Sequence, residues 1–264
     1  MENRRPLGTQ SLQRGLSILH LLGTHHTEGL RLTDISRMLG LEASTAHRLL
    51  ACLTSEHFVE RNPANKRFHL GIGSMQLASG AAERLPLTER LRPIMQKIAR
   101  ISGDTVFLVA RQGDFALCLH REHGDFPVQI TTTLPGGSRL LGIGAGGNAI
   151  MSGMPTDEVV SIYERNVAAY RAVGLELEAL LTTLEETRAT GFSQTVDIIT
   201  PGISAIGMPI VIGSRPLAAL SIGSISSRME SERRQELGTL LAECIAEVSL
   251  ETRQPKAAGT SLNR

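Results

Sequence analysis

The chain has 264 residues, enough for two modest domains, and a formal net charge of +1, which excludes a uniformly basic coat for nucleic acid but not a local basic patch. Trp is absent and aromatic residues make up only 3%, too few for the stacking platforms that hold single strands. Three scattered cysteines, Cys52, Cys118 and Cys244, argue against a disulfide framework and fit a reducing cytoplasm.

Residues 1–8 are expected to be a mobile arm. From Ser11 to Leu22, apolar residues at Leu12, Leu16, Ile18, Leu19 and Leu22 predict a supporting helix with Arg14 on its outer face. LTDISRMLGLEASTAHRLLACL, Leu32 to Leu53, then reads as two short helices joined by a tight turn. Ile35, Leu39, Leu41, Leu49, Leu50 and Leu53 supply its apolar face, Thr33 sits where an N-cap belongs, and Gly40 makes the turn. The second helix opens with Ser44, Thr45, His47 and Arg48, short hydroxyls and long donors suited to base edges and phosphates in a major groove. The competing reading is an ordinary helix pair with a solvated polar edge. His57–Arg61 and Lys66–Leu70 alternate like strands around Asn62-Pro63-Ala64-Asn65, a hairpin that completes a winged helix. Its wing would put Lys66 and Arg67 against backbone phosphates. Residues 1–70 hold nine Lys/Arg against six Asp/Glu, and six of the eight histidines, an asymmetry in the direction DNA requires.

Gly71–Leu85 is expected to be a connecting helix whose less polar side carries Ile72, Met75, Leu77 and Ala78, ended by Pro86. Thr88–Ile101 predicts an amphipathic helix with Pro93 as a kink position. Thr105–Ala110 and Phe115–Arg121 read as strands about the Gln112-Gly113-Asp114 loop, and Val128–Thr133 as a third strand. Helices follow near Ala145–Met154, Thr156–Ala168 and Glu176–Thr190. Ser204–Ile212 and Leu217–Ser224 are strands around a tight Gly213-Ser214-Arg215-Pro216 turn. Ser231–Leu250 closes the domain, and the tail from Gln254 is expected to be disordered. Antiparallel strands with flanking helices define an α+β class.

Gly142-Ile143-Gly144-Ala145-Gly146-Gly147 matches GxGxxG, but the second parallel strand of a dinucleotide fold is missing after it. The same glycines, opening a helix, expose backbone N–H groups that can hold a carboxylate; a loop needing glycine only for shape is the alternative. His120, Glu122 and His123 beside Cys118 invite a metal reading, yet residues three apart in a strand face opposite sides, and no CxxC or HExxH accompanies them. No GxSxG elbow is present. No metal or cofactor is therefore expected. No run of about 18 apolar residues predicts a membrane span, and MENRRPLGTQ has no apolar core of a signal peptide. The expected compartment is the cytoplasm.

With these pieces in place, the sequence resembles the IclR family of bacterial transcriptional regulators. SLQRGLSILHLL, LTDISRMLGLEASTAHRLLACL and FVERNPANKRFHLGIG carry the resemblance in the first half, and DTVFLVARQG, TRATGF, PGISAIGMPI and LAALSIGS carry it in the second. It implies an N-terminal winged helix-turn-helix and a C-terminal α+β domain, a GAF-like antiparallel sheet with flanking helices on one side, that binds a small effector. It also implies a homodimer through the N-terminal half, paired in many members into a tetramer. Many members carry an effector loop of approximate pattern PLHxTAxGKA, where this chain has Leu140–Ala149, so that the family His, Thr and Lys become Gly142, Gly144 and Asn148. A pocket acid of the family falls on Thr195 with Asp197 close by, a pocket Cys becomes Ala205, and of two serines Ser221 remains while the other is Gly223. The implied pocket residues are Gly142, Gly144, Ala145, Gly146, Asn148, Asp197, Ala205, Ser221 and Gly223. These losses disfavour a small, highly polar acid such as glyoxylate and favour a larger carboxylate with an apolar or aromatic body.

The expected organisation is a winged helix over 9–70, a linker helix over 71–87, an effector domain over 88–252 and a tail over 253–264. The expected partners are double-stranded DNA with a palindromic operator and a small organic effector, with no membrane. Two alternatives stay open: a metabolic enzyme using the Gly142 loop for a cofactor or phosphate, and a regulator whose C-terminal domain only oligomerises.

Overall fold

The computed structural model describes residues 9–84, 87–212 and 215–251. The arm expected at 1–8, the tail expected over 253–264 and Gly213-Ser214 of the tight turn lie outside the described residues. The chain divides into two compact units, Met1–Pro86 and Leu87–Arg264.

In the first unit, α1 (Gln10–Thr24), α2 (Leu32–Leu39) and α3 (Ala43–Ser55) precede a hairpin of β1 (Val59–Arg61) and β2 (Phe68–Leu70), and α4 (Ile72–Arg84) follows. Each element before α4 contributes to one small core of Ile18, Leu22, Leu30, Ile35, Leu50, Val59 and Phe68. Burying each such side chain contributes about 1.5–3 kcal/mol, so this unit holds together through few residues. Gly40 ends α2 at φ 61°, a conformation cheap for glycine. Two details differ from the sequence reading. The N-cap of α2 is Arg31, whose N–H donates to the Asp34 carboxylate at 3.3 Å, so Thr33 lies inside the first turn and caps nothing. On α1 the buried stripe is Gly15, Ile18 and Leu22, while Leu12 and Leu16 are exposed. The wing forms as expected, with Val59 opposite Leu70 and Arg61 opposite Phe68. Its turn is built by Asn62, whose side-chain oxygen accepts from the N–H groups of Ala64 and Asn65 at 2.9 and 3.3 Å. The start of α4 is pinned to the wing, because Gly71 N–H donates to Phe58 O and Gly73 N–H to His57 O.

The second unit runs α5 (Leu87–Ser102), β3 (Thr105–Gln112), β4 (Phe115–Glu122), β5 (Ser138–Leu140), α6 (Ala145–Ser152), α7 (Thr156–Arg165), α8 (Val167–Ala172), α9 (Leu177–Thr190), β6 (Ser193–Val196), β7 (Ile203–Ile212), β8 (Arg215–Ile225) and α10 (Ser231–Glu251). The sheet order is β5-β4-β3-β8-β7-β6 with every pair antiparallel. Strand alternation sorts its side chains between two cores. Val106 and Leu108 of β3, with Leu220 and Ile222 of β8, pack with Met95 and Ile98 of α5 and Leu241 of α10. Phe107 and Val109, with Ala219, pack with Ile150, Ile162, Tyr170 and Leu184 from the other helices. Helices therefore cover both faces, not the one side expected from the resemblance. The strand expected at Val128–Thr133 is irregular backbone, and the partner of β4 is Ser138–Leu140 instead. A side chain rather than a ladder ties this stretch down: the Thr105 hydroxyl accepts from Ile130 N–H at 3.1 Å.

Candidate functional site

The outward side of α3 is set by which residues its core contacts consume. Ala46 and Leu50 are buried, Thr45 is half-buried, and Ser44, His47 and Arg48 are exposed. Arg48 makes no ion pair or hydrogen bond with any described residue, so the pairing with Glu42 or Glu56 that would make it a passive surface arginine is absent. Among the described residues no side chain caps α3, which leaves its first amides open at the positive end of the helix dipole. Thr33 is exposed in the first turn of α2, and Arg14 is half-buried on α1.

On the wing, Lys66 is exposed at the turn with φ 61°. Arg67, also expected on a phosphate, is engaged within the unit. Its Nη1 donates to Gly29 O at 2.8 Å, turning the guanidinium back onto the α1–α2 loop, where Leu30 and Phe68 also exchange backbone hydrogen bonds. Arg31 and Arg37 are further exposed basic residues beside the helix-turn-helix that the sequence reading passed over. Arg37 approaches Asp34 at 3.5 Å but is 79% exposed, so that contact holds it weakly.

In the second unit, Gly144, Ala145, Gly146, Ala205, Ser221 and Gly223 meet around a single cavity of about 80 Å³. The N-terminus of α6 reaches it because β7 carries glycine at the contact. A Cβ on Gly207 would stand 2.6 Å from the Ala145 carbonyl and 2.9 Å from Gly146 N. Ser193 locks that approach, its hydroxyl lying within hydrogen-bond reach of both Ala145 O and Gly207 O. Gly144 caps α6 in extended backbone with no side-chain cap, so the leading amides remain open for an anion. Phe107, Val109, Ile130, Ile199 and Ile203 make the apolar wall. Ser221 is 7% exposed and its hydroxyl has no partner among the described residues.

Three expected pocket residues stand elsewhere. Gly142, at φ 86°, turns toward the helical layer, where a Cβ would meet Leu180 and Tyr170. Asn148 is buried one turn into α6, away from the cavity lining. Asp197 is exposed and clips the β6–β7 turn, accepting from Gly202 N–H at 2.8 Å and Ser226 Oγ at 2.6 Å. Conversely, Arg139, Thr132 and Thr133 line the cavity and escaped the sequence reading. No motif marks Arg139, and the threonines sit in the segment read as a strand. His120 Nε2 lies 2.7 Å from Glu122 Oε1, and among the described residues no three His, Cys, Asp or Glu side chains are grouped to hold a metal. Among the same residues no helix is long and apolar enough to cross a membrane.

The chain joins a winged helix-turn-helix, a DNA-binding motif, to an antiparallel α+β unit. Residues 11–63 match the IclR helix-turn-helix domain, and residues 79–250 match the family described as bacterial transcriptional regulator IclR C-terminal. The chain belongs to the IclR family. It is 27% identical over 256 residues to the HTH-type transcriptional regulator BhcR of Paracoccus denitrificans, covering 96% of this chain and 90% of that one. It is 28% identical over 247 residues to the HTH-type transcriptional repressor AllR of Klebsiella pneumoniae, covering 92% and 89%. These relatives are regulators, not enzymes, and the chain is read as a regulator. In fold it is similar to an IclR regulator from Alicyclobacillus acidocaldarius, with a TM-score of 0.77, 24% identity and coverage of 91% and 97%. It is also similar to an IclR homologue from Microbacterium hydrocarbonoxydans crystallised with 4-hydroxybenzoate, with a TM-score of 0.73, 18% identity and coverage of 92% and 99%.

Proposed function

We propose that this regulator reads a palindromic operator with α3 and that a small organic metabolite, bound in the second unit, sets its affinity for that operator. Residues 9–70 bind DNA in this reading, 71–87 link, and 88–252 bind the effector in the cytoplasm. The observation that carries the reading is the largely apolar cavity at the uncapped N-terminus of α6, with the unpartnered Ser221 hydroxyl facing it. A domain used only for oligomerisation has no need of such a cavity. On the DNA side, the exposed row of Ser44, His47 and Arg48, together with Thr33, Arg14 and Lys66, supplies donors for bases and phosphates. Arg67 acts by holding the wing in place. One recognition helix reads only a few base pairs, so a symmetric dimer is the expected form. The exposed Leu12, Leu16, Ile72, Met75 and Leu77 of the first unit, 46–68% accessible in the single chain, supply apolar surface for it. A carboxylate with an apolar or aromatic body suits the cavity, as the 4-hydroxybenzoate bound to the Microbacterium homologue illustrates.

The test is a gel-shift titration of the full chain on duplexes selected from a random pool, with and without metabolites that raise its melting temperature. A ligand that binds the two states unequally should change operator affinity by about 5- to 150-fold. Stabilising ligands that all leave operator affinity unchanged would refute effector control, and failure to select any duplex would refute DNA recognition.

A further inference from the structure

We propose that Arg139 is the anion-recognition residue of the cavity and that it selects a ligand bearing one carboxylate on an apolar body. The proposal rests on the reading of this cavity as the effector site and names the chemistry that site accepts.

Among the described residues lining the cavity, Arg139 is the only ionisable one. Its guanidinium is half-buried, and burial lowers its pKa. No carboxylate pairs with it among the described residues, whereas Arg111, Arg165 and Arg233 of the same unit pair with Glu158, Asp114 and Asp104 at 2.6–2.8 Å. Its hydrogen bonds go to neutral groups: Nη2 donates to Thr132 O at 3.2 Å and Thr133 Oγ1 at 3.0 Å. Nε and Nη1 have no partner among the described residues. A cation withdrawn from water with only neutral partners is costly, and an incoming anion relieves that cost.

Position adds to this. A Cβ on Gly144 would lie 3.4 Å from Arg139 Cδ and 3.9 Å from Nε, so the free edge of the guanidinium stands beside the cap of α6. A carboxylate placed there meets a charged donor and helix amides together. Beyond it the walls are mainly Phe107, Val109, Ile130, Ile199 and Ile203; Thr195 and Ser204 also line the cavity, but they are neutral and their hydroxyls are turned to Ala205 O and Ser226 Oγ, so a second charge would be stranded. The Ser221 hydroxyl offers one further polar contact for the ligand body.

The test is a thermal-shift titration of the full chain with benzoate, 4-hydroxybenzoate and 4-methylpentanoate at millimolar concentration, beside their amides and succinate. At least one monocarboxylate should raise the melting temperature where its amide and succinate do not. Arg139→Gln keeps a donor for Thr132 and Thr133 but removes the charge, and should weaken carboxylate binding roughly 10- to 100-fold, the range expected for a charge-assisted hydrogen bond. Arg139→Lys should recover part of the loss. Amides matching their acids, succinate exceeding them, an unchanged preference in Arg139→Gln, or no shift with any monocarboxylate would each overturn the proposal. Should Arg139→Gln not fold, the acid-against-amide comparison in the wild type and Arg139→Lys decides. A carboxylate that binds through Arg139 yet leaves operator affinity unchanged would refute effector control while leaving this assignment standing.

Discussion

Gly207→Ala separates a fold that merely tolerates glycine on β7 from one that depends on it. The added methyl would sit 2.6 Å from the carbonyl carbon and oxygen of Ala145, against 3.4 Å or more for an ordinary contact. Backbone must therefore yield by about 0.8 Å, the difference between those distances. No flexible side chain can absorb the shift, because the nearest atoms belong to the first turn of α6. Overpacking of this kind costs about 1–3 kcal/mol. For a domain of this size, about 2 kcal/mol corresponds to a fall of roughly 4–8 °C in melting temperature. The displaced helix should also lose ligand-induced stabilisation, since its amides and the cavity move together. Thermal unfolding of the full chain, with and without a stabilising carboxylate, reads both effects. A variant that melts with the wild type and keeps its ligand shift would refute the reasoning that this close approach builds the site.

Ala205→Phe should fill the cavity from β7 and abolish the ligand response while operator binding persists; a full response in a folded variant would place the site elsewhere. Lys66→Ala should weaken specific and random duplexes alike and reduce the salt dependence by about one phosphate contact, whereas Arg67→Ala should loosen the whole wing by freeing Gly29 O, visible as lost thermal stability without any DNA. Asp114, held below its ordinary value of 3.8 chiefly by the Arg165 hydrogen bond, favours the native state above that pH. Its stabilisation should be lost as pH falls below 3.8 through the depressed native value, and Asp114→Asn should flatten that part of the stability profile.

The DNA-binding half was legible because its signals are local. Gly40 and the Asn62–Asn65 turn each act within a few residues, and the apolar spacing from Ile35 to Leu50 runs through two adjacent helices, so each fixes a structural feature from one short stretch of sequence. One departure there depends on a contact distant in sequence, since Arg67 and Gly29 are 38 residues apart, whereas the cap placed at Thr33 misses a local one, Arg31 N–H donating to the Asp34 carboxylate. In the second half, the strand signals located β3, β4, β7 and β8, but β5 and β6 went unread. The three residues of β5, Ser-Arg-Leu, and the four of β6, Ser-Gln-Thr-Val, carry too little apolar pattern to announce a strand. The family pattern named Gly144, Gly146, Ser221 and Gly223, which line the cavity, together with Gly142 and Asn148, which are not among its lining residues. Arg139 was not named, since its significance lies in the absence of a carboxylate partner, a property of the folded neighbourhood rather than of any motif. Asp197 illustrates the converse, a chemically suitable side chain diverted into bracing its own turn.

The central claim, that the exposed front of α3 reads DNA, is tested most directly by fluorescence-anisotropy titration of wild type and Arg48→Ala on one selected duplex and one random duplex. The account predicts that Arg48→Ala loses about 1–3 kcal/mol of binding to the selected duplex while melting like the wild type. Equal affinity of the two proteins for the selected duplex would contradict it.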